Sequence, residues 1–103
     1  MDKIGAPRIF FSISAVTKYE IYAGATPNQL AFWDNVLQAI TVLPLDEVSV
    51  DTALTINIAL KKKRKQIDLA DLFIAATAIT HNLPFATLNR KHFERIDTLA
   101  LID

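Results

Sequence analysis

Three polar residues stand where chemistry is possible. Asp71 sits inside the apolar run Leu69–Thr80, Glu20 lies on the segment Ala15–Ala23, and Asn89 follows the short apolar stretch 84–87. A carboxylate buried in apolar surroundings is costly unless a cation, a metal or several donors meet it. Two readings of Asp71 stay open on these grounds. It is a second acid in the first turn of a helix, favoured by the helix dipole, or it is a metal ligand on a rigid helix. Ala75 and Ala78, at i+4 and i+7, leave a shallow face beside it with room for an ion and a substrate. Glu20 has a competing reading too, as the closing acid of a capping box with Thr17, three residues earlier. No cysteine is present, and His81 and His92 have no partner at metal-ligand spacing, so neither histidine is expected to be a ligand. Oxygen ligands without sulfur or imidazole suit Mg²⁺ or Mn²⁺ rather than zinc.

These side chains need elements to hold them. The stretch 68–80 reads as a helix, with Asp68 as N-cap and Asn82 as a left-handed stop. It is apolar nearly all round, so it should be buried. Arg8–Ser14 is a continuous run of β-formers, expected to be a strand covered on both faces. A helix over Ala15–Ala23 should stop at Gly24. Thr26, Pro27 and Gln29 open another helix, whose buried face is expected to be Leu30, Phe32, Trp33, Val36, Leu37 and Ile40. Thr41–Leu45 is a short strand limited by Pro44. Asp46 then caps a helix over Glu47–Lys65, with Val50, Ala53, Leu54, Ile56, Ile58 and Leu60 as its apolar side. Short strands are expected again over Phe85–Thr87 and Leu99–Ile102. The alternation of strands and helices indicates an α/β domain with a largely parallel sheet.

The totals agree with one domain over residues 1–103 and one core. Apolar residues make up 51% and charged residues 21%, a folded rather than disordered balance. Basic and acidic residues both count 11, but unevenly: residues 1–60 hold three bases and six acids, residues 61–103 eight bases and five acids. The run Lys61-Lys-Lys-Arg-Lys65 could attract RNA, although lysines at a helix C-terminus are commonly just solvated. The absence of cysteine fits a reducing cytoplasm. No apolar run has membrane-spanning length. Two glycines in all leave no glycine loop to cradle a nucleotide phosphate.

Taken together, Ser12–Ala25 with Glu20, Asp68–Ala78 with Asp71, and Thr87–Phe93 with Asn89 resemble the motifs of the PIN-domain ribonucleases. Within them the chain is similar to the VapC-type toxins of toxin–antitoxin pairs. The resemblance implies a three-layer α/β/α fold, with Glu20 and Asp71 as ligands of Mg²⁺ or Mn²⁺ and Asn89 near the same cleft. It implies RNA as substrate, a VapB-like antitoxin as partner, and a homodimer packed through Thr26–Ile40. The family's opening strand and its Asp-Thr-Asn-like motif have no match in Met1–Ser12. The expectation is therefore a family member lacking roughly its first forty residues, with little or no ribonuclease activity. The first strand is expected to close the gap by pairing directly with Phe85–Thr87. Two alternatives to an active toxin remain: a catalytically dead PIN-like module that binds an antitoxin or dimerises, and an unrelated α/β interaction domain whose acids only cap helices.

Overall fold

The computed structural model describes residues 11–102; residues 8–10 of the expected first strand lie outside them. The order is β1 (Ser12–Ser14), α1 (Ala15–Gly24), α2 (Pro27–Gln38), β2 (Thr41–Leu43), α3 (Glu47–Lys62), α4 (Leu69–Thr80) and the single turn α5 (Arg90–Phe93). Strands β1 and β2 are parallel, with Ser12 opposite Thr41 and Ser14 opposite Leu43. A second parallel contact joins Phe85 to Leu101, through Phe85 N–H to the Ala100 carbonyl at 2.7 Å and Ile102 N–H to the Phe85 carbonyl at 3.0 Å. The α/β class with a parallel sheet is as the alternation predicts.

Several local expectations need correction. The strands expected over Phe85–Thr87 and Leu99–Ile102 shrink to that one bridge. Direct closure is not seen among the described residues: β1 pairs with β2, and Phe85 bridges to Leu101. Nor is the first strand covered on both faces: Ser12 and Phe11 are exposed and Ile13 is half-buried. Helix α1 begins at once after β1 because Ser14 caps it, its hydroxyl accepting from the Thr17 N–H at 2.9 Å. Thr17 is thus inside the helix, and the capping box expected between Thr17 and Glu20 does not exist. Ahead of α2 the Thr26 N–H donates to Gln29 Oε1 at 2.9 Å, as the sequence predicts.

The core lies between α3, α4 and the C-terminal segment. Ala53, Ile56 and Leu60 of α3 meet Leu72, Ala75, Ala76 and Ala78 of α4, and Phe93, Ile96 and Leu99 close the cluster. The alanines let the two helices approach closely; Ala75 and Ala76 are wholly buried. The sequence predicts a broader α3 face than the one observed. Ser49, Ala53, Ile56 and Leu60 point inward, whereas Val50, Leu54 and Ile58 lie on the exposed side. A helix has room for one inward stripe of roughly 100°, and the positions 49, 53, 56 and 60 fill it. Helix α2 buries none of its residues; Leu30 and Phe32 are exposed and Trp33 is half-buried.

Both long helices stop in the same way. Asn82 adopts φ 55° after α4, with its N–H on the Ile79 carbonyl and the Leu83 N–H on the Ala78 carbonyl. Arg64 adopts φ 54° after α3, with its N–H on the Lys61 carbonyl and the Lys65 N–H on the Leu60 carbonyl. Each is the paired bonding of a Schellman stop. The first uses the asparagine that the sequence suggests. The second places an arginine where glycine is usual, and ends α3 at Lys62, short of the expected Lys65.

Candidate functional site

Asp68 occupies the N-cap position of α4, but its carboxylate makes no capping hydrogen bond; its backbone carbonyl instead accepts from the Leu72 N–H at 2.9 Å. Asp71 therefore stands in the first turn of a helix whose later residues are almost all buried. Its side chain is 21% exposed, enough to meet solvent from an otherwise apolar helix. Asp71 Oδ2 lies 3.1 Å from His92 Nδ1. The same His92 Nδ1 lies 2.9 Å from Asn89 Nδ2. Asn89 precedes α5, and its backbone N–H donates to Thr87 Oγ1 at 3.0 Å, a local turn that fixes where α5 starts. Thus Asp71 and Asn89, 18 positions apart, meet through the imidazole of His92.

One ring nitrogen cannot donate to a carboxylate and accept from a carboxamide at once. When Nδ1 carries its proton it donates to Asp71, and Asn89 satisfies the same edge by presenting its oxygen. When Nδ1 is bare it accepts from Asn89 and faces the carboxylate lone pair to lone pair. The first arrangement is the one that leaves no repulsion. Asparagine oxygen and nitrogen are interchangeable by rotation, so the geometry permits it.

Glu20 lies on α1, which packs against α4. It is exposed and makes no hydrogen bond or ion pair among the described residues. The structure thus joins Asp71 to Asn89 and leaves Glu20 on the neighbouring helix without a contact to either. His92 is the member that sequence reasoning set aside. Its spacing from Asp71 says nothing, because a chain reversal separates α4 from α5; the signal available was its place in the Thr87–Phe93 motif, three residues from Asn89.

Among the described residues no group of three His, Cys, Asp or Glu side chains is close enough to enclose a metal ion. A closed zinc cage is not formed by them. Asp71, with a free approach from solvent and a carboxamide nearby, fits a hard cation that keeps most of its water and takes one or two carboxylates. Elsewhere, charge is arranged for structure. Asp46 accepts from the Ser49 N–H at 2.9 Å at the start of α3, which holds its carboxyl below the usual range. Asp97 is lowered by the hydrogen bond from Lys63 Nζ, 2.9 Å away. Tyr22 is raised because its hydroxyl donates to Asp34 Oδ1 at 2.7 Å.

Comparison with known proteins bears on this geometry. A family model described as the PIN domain matches residues 4–99. The ribonuclease VapC1 of Methanocaldococcus jannaschii is 35% identical over 91 residues, covering 87% of this chain and 67% of that protein. The ribonuclease VapC of Rickettsia bellii is 43% identical over 75 residues, covering 71% of this chain and 54% of that protein, so this chain spans about half its length. A DNA-bound VapBC structure from Salmonella typhimurium superposes with a TM-score of 0.84 at 27% identity, over 89% of this chain and 74% of that one. VapBC-1 of nontypeable Haemophilus influenzae superposes with a TM-score of 0.83 at 24% identity, over 99% of this chain and 80% of that one, a likeness of fold.

Proposed function

The chain belongs to the PIN-domain family, and we propose on that premise that it is a divalent-metal-dependent endoribonuclease of the VapC toxin type. The observation that carries this reading is the Asp71 carboxylate, held on the first turn of a buried helix with Asn89 drawn up beside it through His92. Asp71 and Glu20 are the proposed ligands of Mg²⁺ or Mn²⁺, and Asn89 the neutral oxygen at the cleft. The bound cation would lower the pKa of an attacking water and offset charge on the phosphodiester. The protein's own part is positional. Burial of Leu72, Ala75 and Ala76 fixes α4, and α4 fixes the Asp71 backbone. His92 restrains the carboxylate's rotamer, and the Thr87–Asn89 turn restrains His92. Glu20 enters from α1, one helix away, and must converge on Asp71 for the pair to share an ion.

Two carboxylates and a carboxamide make a thin ligand set, so binding of the metal should be weak and turnover slow. The proposed partner is a VapB-like antitoxin, since the similar solved structures are VapBC complexes. A cytoplasmic home and a homodimer through Thr26–Ile40 complete the reading; no helix among the described residues is long and apolar enough to cross a membrane. A second reading, a catalytically dead module that binds an antitoxin or dimerises, draws on the lack of a three-ligand cluster among the described residues and on the exposed apolar side chains of α2. A fluorogenic RNA assay with Mn²⁺ separates the two. Cleavage that the chain performs and Asp71→Asn abolishes supports the ribonuclease. A folded chain with no cleavage at any Mn²⁺ concentration supports the dead module.

A further inference from the structure

The basic run after α3 does not fray into solvent as one cluster. Lys61 and Lys62 finish the helix, and Lys63 turns to Asp97 at 2.9 Å. The left-handed turn at Arg64 then redirects the chain, and Arg64 and Lys65 form one wall of an open cleft of about 510 Å³. The other wall is Lys91, Glu94 and Arg95. Arg95 ties the walls together, its Nη1 donating to the Gln66 carbonyl at 3.1 Å. The lining therefore holds four cations and one acid. That acid, Glu94, lies 3.9 Å from Arg90 on its own helix turn. Arg64 and Lys91 have no ion-pair partner among the described residues, and Lys65 makes no close ion pair but its charge acts on Asp97. Folding has thus gathered like charges around the left-handed residue that stops α3. The stop serves the helix; the gathered charges serve nothing in the core.

We propose that this cleft binds the phosphodiester backbone of single-stranded RNA and feeds it past Asp71. The identification of the polyanion rests on the ribonuclease reading above. Two observations favour a nucleic acid over an acidic peptide. Every lining residue is charged, and a docked peptide needs apolar anchors that the cleft does not offer. Adjacent residues of α5 also serve the two places: Lys91 lines the cleft while His92 contacts Asp71. A strand lying along Arg64, Lys65 and Lys91 would pass within one residue of the carboxylate's partner. Arginine forks and lysine point charges both suit phosphate oxygens, and contacts of this kind follow the backbone without reading sequence.

The test is fluorescence anisotropy with a fluorescein-labelled RNA decamer of mixed sequence, in EDTA so that nothing is cut, across a KCl series. The Lys65→Ala/Lys91→Ala double variant should bind at least tenfold more weakly at low salt. Its slope of log affinity against log salt should fall by about 1.4, at roughly 0.7 per single-strand phosphate contact. Arg64→Gly should also weaken binding while melting no lower than the parent chain, which separates lost charge from lost fold. Lys18→Ala, on the exposed part of α1, should change nothing. Unchanged binding by the double variant, or an equal loss with Lys18→Ala, overturns the cleft. Displacement of the RNA by a glutamate decamer at equal concentration overturns the nucleic-acid assignment. With Mn²⁺ added, the two ideas fail separately. Cleavage that needs Asp71 but ignores the cleft variants rejects the cleft and keeps the ribonuclease; cleft-dependent binding without cleavage does the reverse.

Discussion

His92 Nδ1 has two neighbours and one hydrogen-bonding role at a time, so the residue at position 89 competes with Asp71 for it. An aspartate there would accept from the Nδ1 proton as the rotated asparagine does, and would add a charge. A unit charge about 4 Å from a dication is worth about 2 kcal/mol even at the dielectric of water. Asn89→Asp is therefore expected to raise Mn²⁺ affinity tenfold or more in a calorimetric titration, and an unchanged isotherm would mean that Asn89 is not near the ion. Asp71 is legible as a candidate because it breaks an apolar run, Asn89 because it follows a short strand, and Glu20 only through the family resemblance. His92 is hidden because its contact with Asp71 spans 21 positions that no local rule reports.

At the scale of elements, some caps and stops were readable and faces were not. Asp46 before α3 and Asn82 after α4 act through bonds within a few residues of themselves; Gly24 instead ends α1 as its last helical residue, and the Asp68 carboxylate makes no capping bond. The inward stripe of α3 is different. The apolar residues at 50, 53, 54, 56, 58 and 60 are compatible with two faces, and only the approach of the α4 alanines selects 53, 56 and 60. That contact is sensitive to volume. Ala76→Leu forces several methylenes into a filled space and should destabilise the fold by about 1–3 kcal/mol or more, read by urea unfolding. The Asp46 cap gives a pH test with a definite sign. Because the folded carboxyl sits below its ordinary 3.8, its contribution is complete above that value and is lost as pH falls through the lower folded pKa. The melting-temperature gap between the chain and Asp46→Ala should hold steady above about pH 5 and narrow toward zero in stronger acid. A gap that widened on acidification would show that Asp46 does not act as a charged cap.

Across the whole molecule, apolar surface is left over. The radius of gyration is 15.5 Å, against about 13 Å for an ordinary domain of this length. Phe32 is 59% exposed and Leu54 58%. On α3, Leu54 and Ile58 are four positions apart and share a face, whereas on α2 Leu30 and Phe32 are two positions apart and look in different directions. On α2 the Phe32 and Trp33 rings meet edge to face at 5.2 Å, which holds them as a rigid pair suited to anchoring an interface. No residue of α2 is buried, so this helix has little to lose within the single chain if its outer face is changed. A dimer packed through Thr26–Ile40 makes a specific demand of sedimentation velocity. The chain should shift from one copy to two over the micromolar range, and Leu30→Glu with Phe32→Glu should hold it at one copy without lowering the melting temperature of the monomer. The same pair on α3, Leu54→Glu with Ile58→Glu, should leave that shift in place. A chain that stays at one copy throughout, or one whose association follows the α3 pair instead, would move the interface away from α2.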